Sequence, residues 1–468
     1  ISGWAPTTGS STAAPDHDII IIGGGITGLS TAAALLRQRD GEDSGTTSDI
    51  IVHPEQICIL EKSTCIRPVG ATIGLFPNGA TALEAISPEL ANEVFASAIK
   101  YQGIIRHDIH SGEVTTVSSP PQLATIGRGI YSAAWYILQQ SLSNMIPDGV
   151  IQFGKVLESI SVEKKNAQEY DDGDLGDEDS IITVTYRDRH TNQLEQKTCR
   201  ILVGADGIKS TVRNLLFPEY KHISFHDKND LHRKMFRGII SKEKLLTGLT
   251  NENNQTNIED VLPPSGYTNA YICRTTDRVF AMRQLADTVY SFTSAVNGIN
   301  NSSSDLEGTS TKKIKLHDYF EDFPPIVQHW IQAVEEDAIY ENDIYDIDVL
   351  SQWTRDTCIL IGDACHAMSP SLGQGGNVGL EDAVELGAQL RPILQEYSKK
   401  EKEGVMTHKK QKGSIIKTAL DRFEALRMER VKLIHETSRH YQRSSNEGDP
   451  SFKSWVYSWQ PSFISGKD

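Results

Sequence analysis

The hydrophobic pattern near the start of the chain predicts a strand, a tight turn and a helix. The β-branched run HDIIII (17–22) is followed by GGGITG (23–28) and then by small and apolar residues at helical spacing. A second apolar run, QICILEKS (56–63), ends in an acidic residue. Two such runs joined by a helical segment are typical of a β-α-β unit with parallel strands.

The middle of the chain changes to the alternating pattern of antiparallel strands. Residues 151–165 and 180–188 alternate apolar with polar positions, and CRILVGADGIKSTVRNLLF (199–217) returns to a strand, a turn and a helix. Apolar runs between residues 235 and 294, interrupted or closed by two Asn- and Ser-rich loops, predict a second antiparallel sheet.

A third pattern, ILIGDACHAMSPSLGQGGNVGLEDAVELG (359–387), resembles the first. An apolar run ends in Gly-Asp, a glycine-rich loop follows, and then comes an acidic segment at helical spacing. This helix is expected to bury its apolar positions, while its three acidic residues face elsewhere or cap its first turns. Those acidic residues are Glu381, Asp382 and Glu385. The rest of the chain reads as helical, broken by a Lys-rich stretch.

These patterns predict an α/β fold with a discontinuous Rossmann-like domain, an inserted antiparallel-sheet domain and a helical C-terminal region. The expected divisions are a flexible tail (1–15), the Rossmann-like domain (16–220, with antiparallel strands near 150–200, and 346–395), the inserted sheet (221–345) and the helical region (396–468). Two loops remote in sequence can thereby serve opposite ends of one long ligand.

Composition narrows the classes of partner. The chain has 468 residues, 38% of them apolar, and a formal net charge of -16, which argues against a nucleic-acid partner. Its six cysteines form no CxxC pair and read as reduced thiols.

No apolar stretch of about twenty residues predicts a membrane span. The uncharged start, ISGWAPTTGSSTAAP, fits a free end or a processed transit peptide, so we expect a soluble protein of the cytoplasm or of an organelle such as the plastid.

The first glycine motif carries nucleotide chemistry. Gly23, Gly25 and Gly28 have the spacing that permits a tight turn, close approach of a pyrophosphate and packing of helix on strand. Glu61 ends the next strand, where a carboxylate binds ribose hydroxyls and disfavours a 2'-phosphate. The nucleotide is therefore FAD or NAD, and the second loop favours the longer FAD.

Three motifs together carry a family resemblance. GGGITG (23–28), GADGIKSTVR (204–213) and GDACHAMSPSLGQGG (362–376) stand in the same order and at similar spacing as in the single-component, para-hydroxybenzoate hydroxylase-like (group A) FAD-dependent monooxygenases. The resemblance covers nearly the whole chain. Its motifs are also similar to those of the zeaxanthin epoxidase-like subfamily, but they concern the cofactor and not the substrate.

The resemblance implies roles for particular residues. Asp363 would bond the ribityl or ribose part of FAD, the loop from Gly373 to Asn377 would present N–H groups to the flavin edge, and Asp206 would serve FAD and NAD(P)H. The full implied set of cofactor residues is Gly23, Gly25, Gly28, Glu61, Lys62, Arg67, Val156, Asp206, Gly362, Asp363, Gly373, Gly375, Gly376 and Asn377. No catalytic side chain and no metal ligand is implied.

Trp135 departs from the family pattern. AAWYILQQSL (133–142) places a tryptophan where the family often has an FAD-contacting arginine, and Arg128 or Arg67 could take over that contact. His366 matches a structural position of the Gly-Asp turn, with a covalent flavin link as the alternative, and Cys365 reads as a small buried residue.

Substrate contacts are expected on the inserted sheet. Aromatic and basic residues there could line a pocket, although a core or surface position is an equal alternative for each: Phe236, Arg237, Tyr267, Tyr271 and Arg274. Arg237 and Tyr271 are the two assigned to substrate binding.

The resemblance implies an enzyme that uses FAD, NAD(P)H and O2 to hydroxylate or epoxidise a small hydrophobic, aromatic or alkene-bearing molecule, including an isoprenoid or carotenoid. A flavin halogenase is disfavoured because its WxWxIP signature is absent. Two alternatives stay open: an FAD-dependent dehydrogenase or reductase, and a non-catalytic FAD-binding interaction protein. The aromatic C-terminal stretch SFKSWVYSWQPSFISG could dock on a membrane or a protein, or simply pack.

Overall fold

The computed structural model describes most of the chain. The described residues are 6–7, 14–37, 52–67, 72–163, 180–220, 225–226, 233–247, 261–296, 311–344, 346–402, 412–443 and 449–465. The expected N-terminal tail lies largely outside them, but within it Pro6–Thr7 forms a short strand. The fold is α/β, as the sequence predicts.

The strands follow one another along the whole chain. In order they are β1 (Pro6–Thr7), β2 (His17–Ile22), β3 (Ile57–Glu61), β4 (Thr72–Leu75), β5 (Ile99–Lys100), β6 (Gly103–Asp108), β7 (Val114–Ser118), β8 (Tyr131–Ala134), β9 (Ile151–Phe153), β10 (Lys155–Glu163), β11 (Ile181–Asp188), β12 (Leu194–Gly204), β13 (Phe225–His226), β14 (Lys234–Ser241), β15 (Tyr267–Cys273), β16 (Arg278–Ala286), β17 (Val289–Val296), β18 (Ile339–Asp343), β19 (Asp346–Ile347), β20 (Thr354–Arg355) and β21 (Cys358–Leu360).

The helices are concentrated at the two ends of the sequence. In order they are α1 (Ile26–Leu36), α2 (Pro77–Ile86), α3 (Pro88–Ser97), α4 (Gln122–Ile126), α5 (Trp135–Asn144), α6 (Thr211–Leu216), α7 (Lys242–Leu246), α8 (Lys312–Tyr319), α9 (Pro325–Ala333), α10 (Asp363–His366), α11 (Gly375–Lys402), α12 (Lys412–Arg443), α13 (Pro450–Tyr457) and α14 (Ser462–Ser465).

A parallel sheet forms the centre of the Rossmann-like domain. Its parallel strands lie in the order β21, β12, β2, β3, β9. The four isoleucines that end β2 are all buried, which is the composition of a strand covered on both faces. Strand β12 is long enough to belong to two arrangements: its first half forms a hairpin with β11, and its second half lies between β2 and β21. The predicted antiparallel pair near 150–200 is thus β10 and β11, adjoining this sheet.

The inserted domain is built on a second sheet. Its strands lie in the order β18, β14, β17, β16, β15, β6, β7. The strands β6 and β7 come from residues that the sequence assigned to the Rossmann-like domain, because the parallel pairing of β6 with β15 joins segments about 160 residues apart. One face of this sheet packs on α8 and α9 around Phe236, Phe280 and Trp330. The other face turns toward a small sheet of β4, β8 and β5.

The C-terminal helices pack on the Rossmann-like domain and do not form a separate body. Residues of α11, α12 and α13 share one hydrophobic core with the parallel sheet and α1. None of the described helices has a stretch long and apolar enough to cross a bilayer. All six cysteines carry free thiols, and Cys65 is the exposed one.

Candidate functional site

Three loops meet because three parallel strands end at the same level. Ile22 pairs with Gly204, and Gly204 pairs with Leu360, so β2, β12 and β21 finish side by side. The motifs that begin at Gly23, Gly204 and Gly362 therefore all leave the same edge of the sheet. The carboxyl edge of parallel strands is where α/β proteins bind their ligands.

The first glycine loop is closely packed except at one position. A Cβ on Gly23 would lie 2.4 Å from the Ala205 oxygen, and one on Gly28 would lie 2.1 Å from the Gly23 oxygen. Gly23 also has a φ of 108°. In contrast, a Cβ on Gly25 would meet nothing within 4 Å. Gly25 is the N-cap of α1, which has no side-chain cap, so the amide groups of its first turn face open space.

Glu61 holds this loop in place through its carboxylate. One oxygen accepts a hydrogen bond from the Gly24 amide at 2.6 Å, and the other accepts one from the Ser63 amide at 2.7 Å. Gln139, from α5, donates to the Gly24 carbonyl at 2.7 Å. The predicted ribose-binding carboxylate thus also orders the phosphate loop. Gln139 was not singled out from the sequence, since a glutamine on a half-polar helix carries no distinguishing signal.

A cavity of about 220 Å³ opens beside this carboxylate. Its lining joins aromatic and charged side chains from four segments: Glu61, Ser63, Cys65, Ile66, Arg67, Trp135, Gln139, Phe153 and Tyr340. Trp135 therefore lies in the site, on the first turn of α5. Of the two arginines that could take over the family contact, Arg67 lines the cavity together with Trp135. Arg128 instead forms an ion pair with Glu84 at 2.5 Å.

Glu61 and Arg67 are the two predicted cofactor residues in this lining, and Lys62 and Val156 are nearby predictions outside it. The Lys62 side chain is exposed to solvent. Val156 follows Phe153 by three residues and pairs with Arg187 in the antiparallel hairpin. Phe153, and not Val156, is the lining residue of this segment. The two assignments stay predictions.

Asp206 and Arg213 brace the middle motif. The Asp206 carboxylate accepts hydrogen bonds from the Thr211 amide at 2.7 Å, the Val212 amide at 3.1 Å and the Ser210 hydroxyl, so it caps α6. Burial raises its pKa despite these bonds. Buried Arg213 donates to the carbonyl of Ala364 at 2.8 Å. The middle motif therefore fixes the Gly-Asp loop from behind, and the Asp206 carboxylate is already engaged by α6.

Thr27 brings the first and third motifs into contact. A Cβ on Gly362 would lie 2.7 Å from the Thr27 hydroxyl, and one on Gly379 would lie 2.4 Å from it. A Cβ on Gly387 would lie 2.8 Å from that of Ala34. Helices α1 and α11 thus pack at close range through glycines, and Thr27 in the first turn of α1 lies against the first turns of α11. The sequence contained this signal as small residues at helical spacing.

The second glycine loop is fixed by the side chain of Asn377. Its amide oxygen accepts a hydrogen bond from the Phe76 amide at 3.0 Å, and its nitrogen donates to the carbonyls of Gly74 and Gly373 at 2.9 Å each. Gly373 has a φ of 64°, which favours glycine. A Cβ on Gly376 would lie 3.7 Å from the Trp135 ring. Trp135 therefore reaches from the first loop to the second.

Asp363 places a carboxylate at the mouth of this cleft. It begins α10 directly after Gly362, and its side chain is exposed to solvent. The surrounding protein nevertheless desolvates it and raises its pKa, a shift that His366 partly opposes. A Cβ on Gly375 would lie 3.8 Å from its carboxylate, so Asp363 stands beside the first turn of α11.

The acidic residues of α11 are buried, which the prediction that they face elsewhere or cap the first turns did not specify. Glu381 and Asp382 are both fully inaccessible, and Glu385 is nearly so. Arg427 of α12 binds Glu381 at 2.7 Å and Asp382 at 2.8 Å. Arg430 adds a second bond to Glu381 at 2.8 Å. The acidic face is therefore not a solvated face but a surface that receives the C-terminal helix.

His366 belongs to this buried network. Its Nε2 lies 2.6 Å from the Asp382 carboxylate, which also accepts the Gly362 amide at 3.0 Å. Burial alone would raise the pKa of Asp382, but His366 and Arg427 lower it to about 2. The contacts of His366 give it a role in positioning the Gly-Asp loop against α11.

The inserted sheet separates the two predicted substrate residues. Arg237 pairs with Thr293 on the face that turns toward the Rossmann-like domain. Tyr271 pairs with Phe280 on the opposite face, stacks on His107 and packs against the apolar core beneath α8 and α9. Alternation along a strand places these side chains on opposite sides of the sheet. The assignment of both residues to substrate binding stays a prediction, and the position of Tyr271 on the face beneath α8 and α9 favours the alternative of a packing role.

The remaining aromatic and basic candidates are structural or exposed. Phe236 is fully buried in the core beneath α8 and α9. Arg274 is exposed and pairs with Asp108 at 3.1 Å. Tyr267 begins β15 and packs beside Gly103. Cys365 is buried, as expected.

The chain is similar to known proteins over most of its length. Residues 238–411 match the family model described as an FAD binding domain. Chloroplastic zeaxanthin epoxidase from an Oncidium hybrid cultivar is 29% identical over 433 residues, which cover 90% of this chain and 54% of that protein. The FAD-dependent urate hydroxylase of Klebsiella pneumoniae is 26% identical over 373 residues, which cover 80% of this chain and 81% of that protein. The chain thus spans about half the length of some curated relatives.

Solved structures share the fold over nearly the whole chain. HpxO of Klebsiella pneumoniae complexed with FAD and uric acid has a TM-score of 0.64 and 20% identity, covering 96% of this chain and 95% of that one. A salicylate hydroxylase substrate complex has a TM-score of 0.59 and 17% identity, covering 97% and 96%. The chain is thus similar to FAD-dependent hydroxylases and epoxidases in sequence, and it shares the fold of solved FAD-bound hydroxylases.

Proposed function

We propose that the protein is an FAD-dependent monooxygenase that uses NAD(P)H and O2 to hydroxylate or epoxidise a small aromatic or alkene-bearing molecule. The observation that carries the proposal is the pair of helices α1 and α11, whose N-terminal turns come together at Thr27. A ligand with a pyrophosphate at one end and an electron-accepting ring at the other is long enough to meet both. FAD is such a ligand.

The residues present fit this cofactor. The open space above Gly25 faces the uncapped turn of α1, where a pyrophosphate is stabilised. Glu61 and the aromatic residues of the cavity suit a nucleoside. The Asp363 carboxylate is desolvated yet accessible, as a hydroxyl-binding group should be. When bound, FAD would accept two electrons from NAD(P)H and would then activate O2.

The second loop contributes an electrostatic function. The amide groups of the first turn of α11 have no partner within the helix, and its dipole adds partial positive charge. Asn377 and Gly373 keep that turn rigid. A helix N-terminus held in this way stabilises an anion beside it. Neither a mobile cation nor a charged side chain is then needed at that place.

The inserted sheet supplies the substrate side of the cleft. The Ser291 hydroxyl lies 2.8 Å from that of Thr72 on β4, and β4 is joined to the second loop by Asn377. The sheet face that carries Arg237 is thereby held against the Rossmann-like domain. This arrangement orients a bound molecule and excludes water, and it requires few acid–base residues.

The proposal is tested in two steps on the purified chain. The visible spectrum is recorded before and after acid precipitation; a flavin spectrum that moves to the supernatant supports non-covalent FAD, and flavin in the pellet would indicate a covalent link such as through His366. NAD(P)H oxidation is then followed under 18O2. Incorporation of one labelled atom into the substrate and one into water supports monooxygenation.

Other outcomes identify the alternatives. Oxidation of NAD(P)H or of a substrate that requires an artificial electron acceptor, with no label in the product, would indicate a dehydrogenase or reductase. A chain that cannot be reconstituted with FAD would overturn the proposal and leave an interaction protein. Docking through the C-terminal stretch stays a prediction; its residue Trp455 is exposed and lies over the guanidinium of Arg430.

A further inference from the structure

The last described segment of the chain, residues 449–465, is here called the strap. It contains α13 and α14 and packs on α2 and α4. Tyr457 and Trp459 of the strap are buried, whereas Trp455 and Ile464 are exposed, Ile464 by 63%. The proposed function assigns the strap no role, although its buried side belongs to the core of the Rossmann-like domain.

Tyr457 of the strap reaches the second glycine loop through one aromatic ring. It stacks on Phe76, with ring centroids 5.5 Å apart and planes inclined by 29°. The Phe76 ring fills the space beside two glycines, since a Cβ on Gly74 would lie 3.1 Å from its Cε2 atom and one on Gly373 would lie 2.9 Å from it. The Phe76 amide also donates to the side chain of Asn377 at 3.0 Å. Phe76 is therefore part of the seat of this loop, and Tyr457 covers its ring.

Two polar anchors tie the strap to α11, the helix that begins in this loop. The Glu385 carboxylate accepts the Ser462 amide at 3.0 Å and the Ser462 hydroxyl at 2.7 Å. The carbonyl of Val456 accepts a hydrogen bond from Arg430 at 2.8 Å, and Arg430 in turn pairs with Glu381 at 2.8 Å. This second anchor fixes the backbone directly before the stacked tyrosine.

Glu385 differs from the other two buried acids of α11 in its partners. Glu381 and Asp382 each pair with an arginine, but no basic side chain among the described residues pairs with Glu385, which is 3% exposed. Within the same part of the chain, its hydrogen-bond donors are the two groups of Ser462. Burial of a carboxylate is costly unless donors satisfy it, and hydrogen bonds to a charged acceptor are about twice as strong as neutral ones. The strap thus supplies the donors for this carboxylate, and the carboxylate fixes the place of the strap.

We propose that the strap positions the second glycine loop, with Tyr457 acting through Phe76 and the contact between Ser462 and Glu385 fixing where Tyr457 stands. Amide groups stabilise a bound anion best when they are held in place before it arrives. Without the Tyr457 ring, Phe76 gains room to move, and so does the loop that is bonded to its backbone. Tyr457 is therefore a positioning residue for the flavin end of FAD. This inference rests on the proposed function for the identity of the ligand.

The test compares FAD with ADP, which carries the nucleotide end and lacks the flavin. The Kd for FAD is measured on the apoprotein by flavin fluorescence, and the Kd for ADP by its competition with FAD. Tyr457→Ala should raise the Kd for FAD about fivefold or more, because an aromatic pair is lost, and should change the Kd for ADP less than about twofold. Tyr457→Phe keeps the ring and should retain most of the affinity. Ser462→Ala, which removes one of the two bonds to Glu385, should give a smaller change of the same kind.

A double variant shows whether Tyr457 acts through Phe76. Phe76→Leu should weaken FAD binding by itself, and adding Tyr457→Ala should then have little further effect, because the effects of two residues that act together do not add.

The midpoint potential of the bound FAD gives an independent measurement. It should fall in Tyr457→Ala, since a looser loop stabilises the reduced, anionic flavin less. A residue that merely supports the fold would lower the free energy of unfolding without changing this potential. Ile464→Ala, at an exposed position of the same strap, is the matched control and should leave both Kd values and the potential unchanged. If Tyr457→Ala does not fold, as judged by circular dichroism, Tyr457→Leu takes its place with the same expected results.

Four results would overturn the inference: an unchanged Kd for FAD in Tyr457→Ala, equal changes of the Kd for FAD and for ADP, additive effects of the Tyr457 and Phe76 substitutions, or an unchanged midpoint potential. If the wild-type protein binds FAD and one of these results is obtained, only this inference fails. If the wild-type protein binds no FAD, the proposed function fails, and this inference fails with it.

Discussion

Individual glycines of the first loop have separable functions. Gly28 is needed for packing, because any Cβ would lie against the Gly23 carbonyl, whereas Gly25 borders open space. We therefore expect Gly28→Ala to lower the free energy of unfolding by at least about 2 kcal/mol. Gly25→Ala should leave that free energy nearly unchanged and still weaken FAD binding about tenfold or more. Urea denaturation of the apoprotein and FAD titration distinguish the two. Equal effects on both measurements would contradict this division.

Trp135 stands where the family resemblance predicts an arginine that contacts FAD. It lines the cavity near Glu61 and also lies near Gly376, so it borders both glycine loops. Stacking of a nucleotide ring on an aromatic side chain contributes roughly 1–3 kcal/mol. Trp135→Ala should raise the Kd for FAD by about tenfold or more, and Trp135→Phe should restore most of the affinity. The titration follows flavin fluorescence. An unchanged Kd in Trp135→Ala would show that Arg67 and the loops suffice.

At the scale of elements, the second glycine loop depends on a helix about fifty residues further along the chain. Helix α12 inserts Arg427 between Glu381 and Asp382, and Asp382 in turn holds Gly362 and His366. The C-terminal region therefore completes the cofactor cleft from behind.

Loss of Arg427 should be severe, because two buried carboxylates would lose their partner. Arg427→Met should lower the free energy of unfolding by about 3–5 kcal/mol, measured by urea denaturation. Lys432→Met, an exposed position of the same helix, should change it by less than about 0.5 kcal/mol. If Arg427→Met left the free energy of unfolding unchanged or raised it, the ion-pair network would make no net contribution to stability.

At the scale of the whole molecule, the network of Asp382, His366 and Arg427 predicts that the protein loses stability at acidic pH. The pKa of Asp382 falls from its usual 3.8 to about 2, where His366 and Arg427 stabilise the charged form. A group whose pKa is lower in the folded state stabilises the fold above its unfolded pKa, and this contribution is lost as the pH falls toward the folded value. The contribution of Asp382, on the order of 2–3 kcal/mol, is thus complete above about pH 5 and decreases between pH 4 and 2.

Urea denaturation between pH 5 and pH 3 tests this directly. Wild-type protein should lose stability over that range, and Asp382→Asn, already less stable at pH 5, should lose less of it per pH unit. Asp449→Asn, a capping residue at the surface of α13, is the matched control and should keep most of the wild-type slope. If the free energy of unfolding decreased equally with pH in wild type and in Asp382→Asn, other carboxylates would be responsible for the loss of stability at acidic pH.

The sequence by itself determined the elements that depend on local pattern. Gly23, Gly25 and Gly28 after an isoleucine run, Glu61 at the end of the next strand and Gly-Asp before the second loop establish the α/β class and the cofactor end of the site. Glycine spacing and strand ends are local properties, so they can be read along the chain. The sequence also showed that Trp135 departs from the family pattern. It did not show that Trp135 lies between the Glu61 cavity and the second glycine loop.

Only the tertiary structure decided which side chains face each other. Periodicity predicts that the acidic residues of α11 face away from its apolar positions or cap its first turns, and the structure buries them because Arg427 arrives from another helix. Similarly, Arg237 and Tyr271 look equivalent in sequence, but the sheet turns them to opposite faces. Pairing between distant segments sets both outcomes, and the favourable contacts that compensate burial of charge exist only once those segments are packed together.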